Sequence, residues 1–203
     1  MAKDVQVEEF RFWLTRLGGN REQEAATVAQ MRLIESNRFF ALLHEVLAMA
    51  DAELRCQAAL AVFHVEPSGG VEFLVSLLDD PEWIVRVEAC GLLHDIAETA
   101  AVSALNRTMR SDPHPMVRNT AAYALGGIGD PVAIPALIEA LDNDHEPDEL
   151  GHTTSACAMT ALDNILKTNH TRIKSSEGLC QMQPEPTDVE TLKAEAMEVF
   201  RNL

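Results

Sequence analysis

The chain has few aromatic side chains and few basic ones. Aromatic residues make up 5% of its 203 residues, with a single tyrosine, and 16 Lys and Arg stand against 32 Asp and Glu, giving a net charge of −16. Because nucleic-acid phosphates are bound by Lys and Arg, this balance argues against nucleic acid as a general partner. A basic protein is a better electrostatic match, although the same charge would also simply keep the chain soluble.

Two further absences bear on location and chemistry. No stretch approaches the about 20 apolar residues of a membrane-spanning helix, and the N-terminal segment MAKDVQVEEF lacks the apolar core of a signal peptide. The four cysteines, at positions 56, 90, 157 and 180, follow neither a zinc-binding nor a dithiol spacing. We therefore expect a cytoplasmic protein with reduced structural cysteines and no membrane contact.

What the sequence does contain is repetition of helical patterns. The stretch DPHPMVRNTAAYALGGIGDPVAIPALIEAL, residues 112–141, predicts two helices joined by a Gly-Asp-Pro turn. The pattern recurs one helix pair earlier in the chain and again one pair before that. It recurs once more after an acidic insertion at 142–149. Because neither helix of a pair can bury its apolar stripe alone, the pairs are expected to stack on one another.

The pattern Asp-Pro…Val-Arg…Ala-Ala…Ala-Leu-Gly-x-Ile-Gly-Asp-Pro resembles the HEAT-like repeats named after phycobilisome lyases. The resemblance covers roughly residues 38–167 and implies an all-α fold, a right-handed α-α superhelix forming a short HEAT-like repeat solenoid. We expect capping helices over 1–37, four helix-pair repeats over 38–167, and a long loop with a C-terminal capping helix over 168–203. As a guide to function the resemblance is weak, because one repeat type serves many functions.

The resemblance also implies a binding surface, since the second helix of each HEAT-type pair usually lines the concave face. Helical geometry selects the positions on these helices that point away from the core. Tyr123, the only tyrosine, is the natural anchor of such a surface, and an ordinary exposed tyrosine is the alternative. The predicted partner-binding strip consists of Gln57, His64, Glu88, Asp95, Thr120, Tyr123, Thr160 and Asn164.

One arginine recurs at the same position in three successive repeats. Such a row either binds an anion or pairs internally with acidic residues of the repeats, and the second arrangement is common in repeat proteins. The arginines are Arg55, Arg86 and Arg118, and the acidic candidates are Asp51, Asp80 and Asp112. We call the three arginines the arginine ladder and favour the structural interpretation.

The acidic insertion is the densest group of carboxylates. Oxygen ligands of this kind suit Ca²⁺ or Mg²⁺, but the glycine and terminal glutamate of an EF-hand loop are missing, which favours a solvated acidic loop. The weak metal candidates are Asp142, Asp144, Glu146 and Asp148.

Iron chemistry is a second possibility raised by the resemblance. Deoxyhypusine hydroxylase, a di-iron enzyme of this repeat family, carries His-Glu directly after the Val-Arg pair, and histidine with carboxylate forms an iron site. This chain has Val87-Glu88 and Asn119-Thr120 at those positions. The His-Glu pairs of the iron site are thus absent at these positions, and we do not predict an iron site in this chain.

These patterns lead to one leading function and two alternatives. The leading prediction is a non-enzymatic scaffold for protein–protein interaction, with no catalytic residues and no cofactor, binding a partner that in one version is a basic protein. The first alternative, a phycobilin lyase or bilin-handling protein, rests on the family resemblance alone. The second is a metal-dependent enzyme that uses the acidic insertion 142–149.

Overall fold

The computed structural model describes residues 6–17, 19–48, 51–168 and 186–203. Within these ranges the chain consists of helices, short 3-10 turns and loops, apart from a single bridge between Pro147 and Thr153. The predicted all-α class is confirmed. The chain divides into two compact units, Met1–Leu92 and Leu93–Leu203.

Each helix of the first unit begins after a residue with extended backbone or at a short turn. Asn20 accepts a hydrogen bond from the Gln23 amide, and Asp51 accepts one from the Glu53 amide at 3.0 Å, so both side chains satisfy amides that a helix start leaves unpaired. The helices are α1 (Val7–Leu14), α2 (Arg21–Met31), α3 (Ser36–Leu47), α4 (Ala52–Val65), α5 (Val71–Leu77) and α6 (Trp83–Ile96), the last of which continues past residue 92.

The N-terminal helix α1 packs on α3 and α4. Phe10 and Phe39 are fully buried and meet edge to face, with ring centroids 5.8 Å apart. The periodicity of the next segment predicts a helix from Arg21 to Ser36, but α2 ends at Met31, after which the amides of Leu33 and Ile34 donate to carbonyls three residues earlier. Leu33 consequently lies at the surface and is 53% exposed, although the sequence places it among the packing residues.

The second unit contains the helices that carry most of the exposed predicted strip. A 3-10 turn at Thr99–Ala101 leads into α7 (Val102–Ser111), and a second one, Pro131–Ala133, precedes α9. Helix α8 packs against α7 and α10, while α11 contacts α9 and α10. The remaining helices are α8 (Pro115–Ile128), α9 (Ile134–Asn143), α10 (Thr154–Leu166) and α11 (Pro186–Arg201).

Two glycines near the end of α8 have different roles. Gly129 adopts a left-handed conformation, with φ of 75°, and its amide donates to the Leu125 carbonyl, which ends the helix. Gly126 lies inside the helix, where an added Cβ would stand 2.6 Å from the Cα of Ala161. The sequence predicts that Gly126 loosens the helix, whereas the structure uses it to let α8 and α10 approach closely.

The C-terminal helix α11 buries Leu192 and Ala196 completely. Most of the long polar connection predicted before it, residues 169–185, lies outside the described residues, as does Cys180. None of the described helices is both long and apolar enough to cross a membrane.

Candidate functional site

The two ladder arginines of the first unit, Arg55 and Arg86, are buried. Arg55 is 4% exposed. Its guanidinium donates two hydrogen bonds to the Asp80 carboxylate, from Nε to Oδ2 at 2.7 Å and from Nη2 to Oδ1 at 2.8 Å. The hydrogen bond from Asp80 raises the pKa of Arg55 against the opposing effect of burial. Arg86 donates to the backbone carbonyl of the same Asp80 at 2.8 Å. These contacts tie one repeat to the next.

The ladder arginine of the second unit has three internal partners. Arg118 Nε donates to Asp144 at 2.6 Å, Nη2 donates to Glu146 at 2.7 Å, and Nη1 donates to the Asp112 carbonyl at 2.9 Å. Arg118 is 8% exposed. Because each guanidinium nitrogen already donates inside the protein, the structural interpretation of the ladder is the one that these contacts support.

The position of Asp144 shows where the repeat pattern is interrupted. Asp80, Asp112 and Asp144 are spaced at equal intervals of 32 residues, and Asp80 and Asp144 each receive the ladder arginine of the preceding repeat. The additional residues therefore lie after Asp144 and before α10 begins at Thr154. Sequence reasoning assigned Asp144 to the acidic run and missed this register, although the regular spacing was available as a signal.

One carboxylate of the acidic insertion, Asp148, is buried against α8, although most of the insertion is exposed. The side chain of Asp148 is 3% exposed, accepts the amides of Leu150 and His152 at 2.9 Å, and accepts the Asn119 amide group at 3.0 Å. Burial acts to raise the pKa of Asp148, but these hydrogen bonds outweigh it, so that the pKa is lowered. The predicted solvated loop is wrong for this residue.

The other three carboxylates proposed as metal ligands also have cationic partners. Asp142 pairs with Lys193 of α11, while Asp144 and Glu146 share Arg118. Within the part of the chain that the structure describes, no group of three or more His, Cys, Asp or Glu side chains is arranged to hold a metal ion.

The side-chain amide of Asn119, a buried residue of α8, forms hydrogen bonds with the insertion and the residues that follow it. Asn119 is 5% exposed, donates to Asp148 and to the His152 carbonyl at 3.0 Å, and accepts the Thr154 hydroxyl at 2.9 Å. Sequence reasoning noted Asn119 only as a departure from His-Glu. Its polar side chain at a position where the preceding repeat has Val87 was the signal of a buried polar contact.

The described cysteines have the character of packing residues. Cys90 is fully buried, and Cys56 and Cys157 are half-buried and not paired in disulfides. Burial raises the pKa of both Cys56 and Cys157 to about 11. At neutral pH these groups are thiols, which are much weaker nucleophiles than thiolates.

In the first unit the residues of the predicted strip mostly contact neighbouring side chains. His64 Nε2 lies 3.1 Å from Glu24 Oε1 of α2, and the Gln57 amide donates to Glu53 at 3.1 Å. Gln57, His64 and Glu88 are all half-buried. The strip residues of this unit thus face neighbouring side chains more than solvent.

In the second unit the strip is more open. Asp95, Tyr123 and Asn164 are exposed, whereas Thr120 and Thr160 are half-buried and donate their hydroxyls to carbonyls of their own helices. The exposed groups are a carboxylate, a phenol and an amide. All three can engage a partner without breaking a contact that holds α8 or α10 in place.

Tyr123 belongs to a small aromatic patch at the surface of this unit, which we define as His94, Asp95, Tyr123 and Gly127. The rings of His94 and Tyr123 stack with centroids 4.6 Å apart and planes 18° apart, and Tyr123 remains 52% exposed. His94 Nδ1 lies 2.9 Å from Asp95 Oδ1. Because the carboxylate only accepts, Nδ1 is the nitrogen that donates in this contact.

The patch depends on a glycine. A Cβ at Gly127 would stand 2.2 Å from His94 Cδ2, so the imidazole occupies the space that any other side chain would fill. Sequence reasoning identified Tyr123 and Asp95 but missed the stacking partner. The His-Asp dipeptide at the end of α6 was the available signal, and its contact with α8 is set by helix packing that spacing alone does not reveal.

Comparison with known proteins identifies the repeat. A family model for HEAT repeats matches residues 71–157. This stretch is therefore similar to HEAT repeats, and the narrower phycobilisome-lyase type stays a prediction.

Two curated proteins share part of this sequence. Deoxyhypusine hydroxylase-B of Oryza sativa subsp. japonica is 35% identical over 107 residues, which is 52% of this chain and 34% of that protein. Epoxyqueuosine reductase of Bacillus subtilis (strain 168) is 37% identical over 65 residues, 32% of this chain and 17% of that protein. The chain thus matches about a third or less of the length of these relatives.

Two crystal structures of engineered proteins from the Northeast Structural Genomics Consortium are among the solved structures that this chain resembles. The first has a TM-score of 0.48 and 19% identity, and the match covers 95% of this chain and 96% of that one. The second has a TM-score of 0.49 and 18% identity, and the match covers 96% of this chain and 58% of that one.

Proposed function

We propose that the chain is a non-enzymatic scaffold that binds a basic protein partner. The binding surface is the exposed side of α8 and α10 together with the end of α6, and the protein acts in the cytoplasm. Asp95, Tyr123 and Asn164 make the principal contacts, with Thr120 and Thr160 at their margins.

The observation that carries the proposal is the exposure of a rigidly held tyrosine. Tyr123 is 52% exposed, and His94 stacks on it, which limits the rotamers of the ring before any partner arrives. Tyrosine offers large contact area and a hydrogen bond at low entropic cost, and it is enriched among the residues that dominate binding energy. The ring lies outside the buried core of its helix, so a binding role is available to it.

Charge supports a basic partner. The net charge is −16, and the carboxylate of Asp95, which accepts from the stacking histidine His94, is 55% exposed. Electrostatic complementarity of this kind accelerates association and selects partners of opposite sign, and salt weakens it. Among the ladder arginines, Arg55 and Arg118 are paired inside the protein.

The structural contacts of the insertion support a scaffold over the metal-dependent alternative. Its carboxylates accept hydrogen bonds from Arg118, Asn119 and backbone amides, which gives them a role in holding the loop. The His-Glu pairs that the family resemblance links to iron binding are replaced by Val87-Glu88 and Asn119-Thr120.

The test is affinity capture with the full chain from a lysate of its native host, at low and high salt. We expect one basic protein that is retained at low salt and released at high salt. The variant Tyr123→Ala should lose this protein, whereas Val132→Ala, which alters another exposed apolar side chain of the same unit (55% exposed), should keep it.

Retention of an acidic protein, or of a basic one indifferent to Tyr123→Ala, would contradict the proposed partner or surface. A preparation that gains a bilin spectrum on mixing with bilin would instead favour the bilin-handling alternative.

A further inference from the structure

We infer that the aromatic patch of His94, Asp95, Tyr123 and Gly127 is a subsite for an arginine side chain of the basic partner. The inference rests on the proposed function and names the group that this surface recognises.

The first argument is the geometry of the tyrosine ring. One face of Tyr123 is covered by His94, with 4.6 Å between centroids, while 52% of the residue stays exposed. The face of an aromatic ring carries negative electrostatic potential and attracts cations. A guanidinium is planar and weakly hydrated, so it stacks on such a ring better than the compact, strongly hydrated ammonium of lysine.

The second argument is the carboxylate that is bonded to the stacking histidine. Asp95 Oδ1 accepts from His94 Nδ1 at 2.9 Å, and the side chain is 55% exposed, which leaves Oδ2 within reach of a donor from solvent. A charged donor–acceptor hydrogen bond is roughly twice as strong as a neutral one. The negative charge of Asp95 adds to the attraction of the patch for a cationic side chain.

The third argument is that the site is preorganised. His94 fits only because position 127 is glycine, since a Cβ there would lie 2.2 Å from Cδ2 of the imidazole and 2.5 Å from its Nε2. The stack therefore exists before the partner binds, and less side-chain entropy is lost on binding.

Charge separates arginine from the other planar groups that stack on tyrosine. Nucleic-acid bases also stack on aromatic side chains, but their phosphates would meet Asp95 and a chain of net charge −16. The patch thus favours a planar cation over a planar group attached to an anion.

The experiment uses the full chain with nona-arginine, nona-lysine and nona-citrulline peptides at one fixed salt concentration. Because the chain has a single tyrosine, ring-labelled tyrosine gives one set of signals that reports on Tyr123 alone. We expect nona-arginine to shift these ring signals and to bind at least about threefold more tightly than nona-lysine, the factor expected of an exposed cation–π contact. Nona-citrulline, which is planar but neutral, should bind far more weakly.

Matched variants localise the effect. Tyr123→Ala should remove the preference for arginine while leaving nona-lysine affinity unchanged, and Tyr123→Phe should retain the preference because it keeps the ring. Gly127→Ala should weaken arginine binding by displacing His94, and Val132→Ala is the control that should behave as the unmodified chain. Circular dichroism checks that each variant remains helical.

Two different failures are distinguishable. Equal binding of nona-arginine and nona-lysine with unshifted ring signals would overturn the arginine subsite and leave the binding of a basic partner standing. Binding of neither peptide would contradict both the subsite and the proposed function.

Discussion

Arg118 and Tyr123 lie on the same helix, α8, five residues apart, yet their surroundings differ completely. Arg118 is 8% exposed and donates to Asp144, Glu146 and a backbone carbonyl, whereas Tyr123 is 52% exposed and stacks on His94. One side of the helix thus holds successive repeats together and the other is available to a partner. Substitutions on the first side should change stability, and substitutions on the second should change binding.

The largest expected effect is on the buried ladder pair of the first unit. Asp80→Ala leaves Arg55, which is 4% exposed, without its carboxylate and removes the acceptor of the Glu82 amide. Breaking such a pair from one side should lower the free energy of unfolding by about 3–5 kcal/mol, measured by urea denaturation. Glu72→Ala, at an exposed position of α5, is the control and should change it by less than about 0.5 kcal/mol. A loss for Asp80→Ala as small as that of the control would show that the ladder does not stabilise the unit.

Gly126 and Gly91 differ in the space around them, and alanine substitutions at the two positions should have opposite effects on stability. Gly126→Ala forces a Cβ to within 2.6 Å of the Ala161 backbone, so α8 and α10 must move apart, at a cost of about 1–3 kcal/mol in unfolding free energy. Gly91→Ala on α6 meets no atom within 4 Å and should stabilise the protein by about 0.5–1 kcal/mol through helix propensity. Thermal or urea unfolding of both variants measures the difference, and the same sign for both would refute the close approach at Gly126.

Acid should weaken the contacts that hold the acidic insertion. The pKa values of Asp144 and Asp148 are lowered on folding, because hydrogen bonds to Arg118, Asn119 and backbone amides outweigh burial. A group with a depressed folded pKa stabilises fully above its unfolded pKa, about 4, and that contribution is lost as the pH falls through the folded value.

Stability measured by urea denaturation should therefore decline as the pH drops below about 4. Asp148→Asn should flatten this decline, while Glu198→Gln, at an exposed position of α11, should leave it unchanged. A decline that is identical in all three proteins would mean that Asp148 is not responsible for it.

The helices were easier to predict from the sequence than the contacts between them. The two helices predicted over residues 112–141 correspond to α8 and α9, because apolar periodicity and the Asp and Pro residues at helix starts are local signals. The end of α2 at Met31 was missed. The ladder arginines followed from repeat spacing, which is also read along the chain.

The missed features depend on side chains that meet only after packing. Asn119 reaches Asp148 and Thr154 across a distance of 29 and 35 residues in sequence, and His94 reaches Tyr123 from another helix. Nothing in the local pattern of either helix specifies these partners. The even spacing of Asp80, Asp112 and Asp144 offered a clue of another kind, since it shows that Asp144 keeps the repeat register.

The most direct test of the division of α8 measures unfolding free energy and nona-arginine affinity for two variants of the full chain. Tyr123→Ala should lose about threefold in affinity and change the unfolding free energy by less than about 0.5 kcal/mol. Asp144→Ala should keep the affinity and lose about 1–2 kcal/mol, since Arg118 retains Glu146. The reverse pattern, with Tyr123→Ala destabilised and binding normally, would contradict the assignment of stability to one side of α8 and binding to the other.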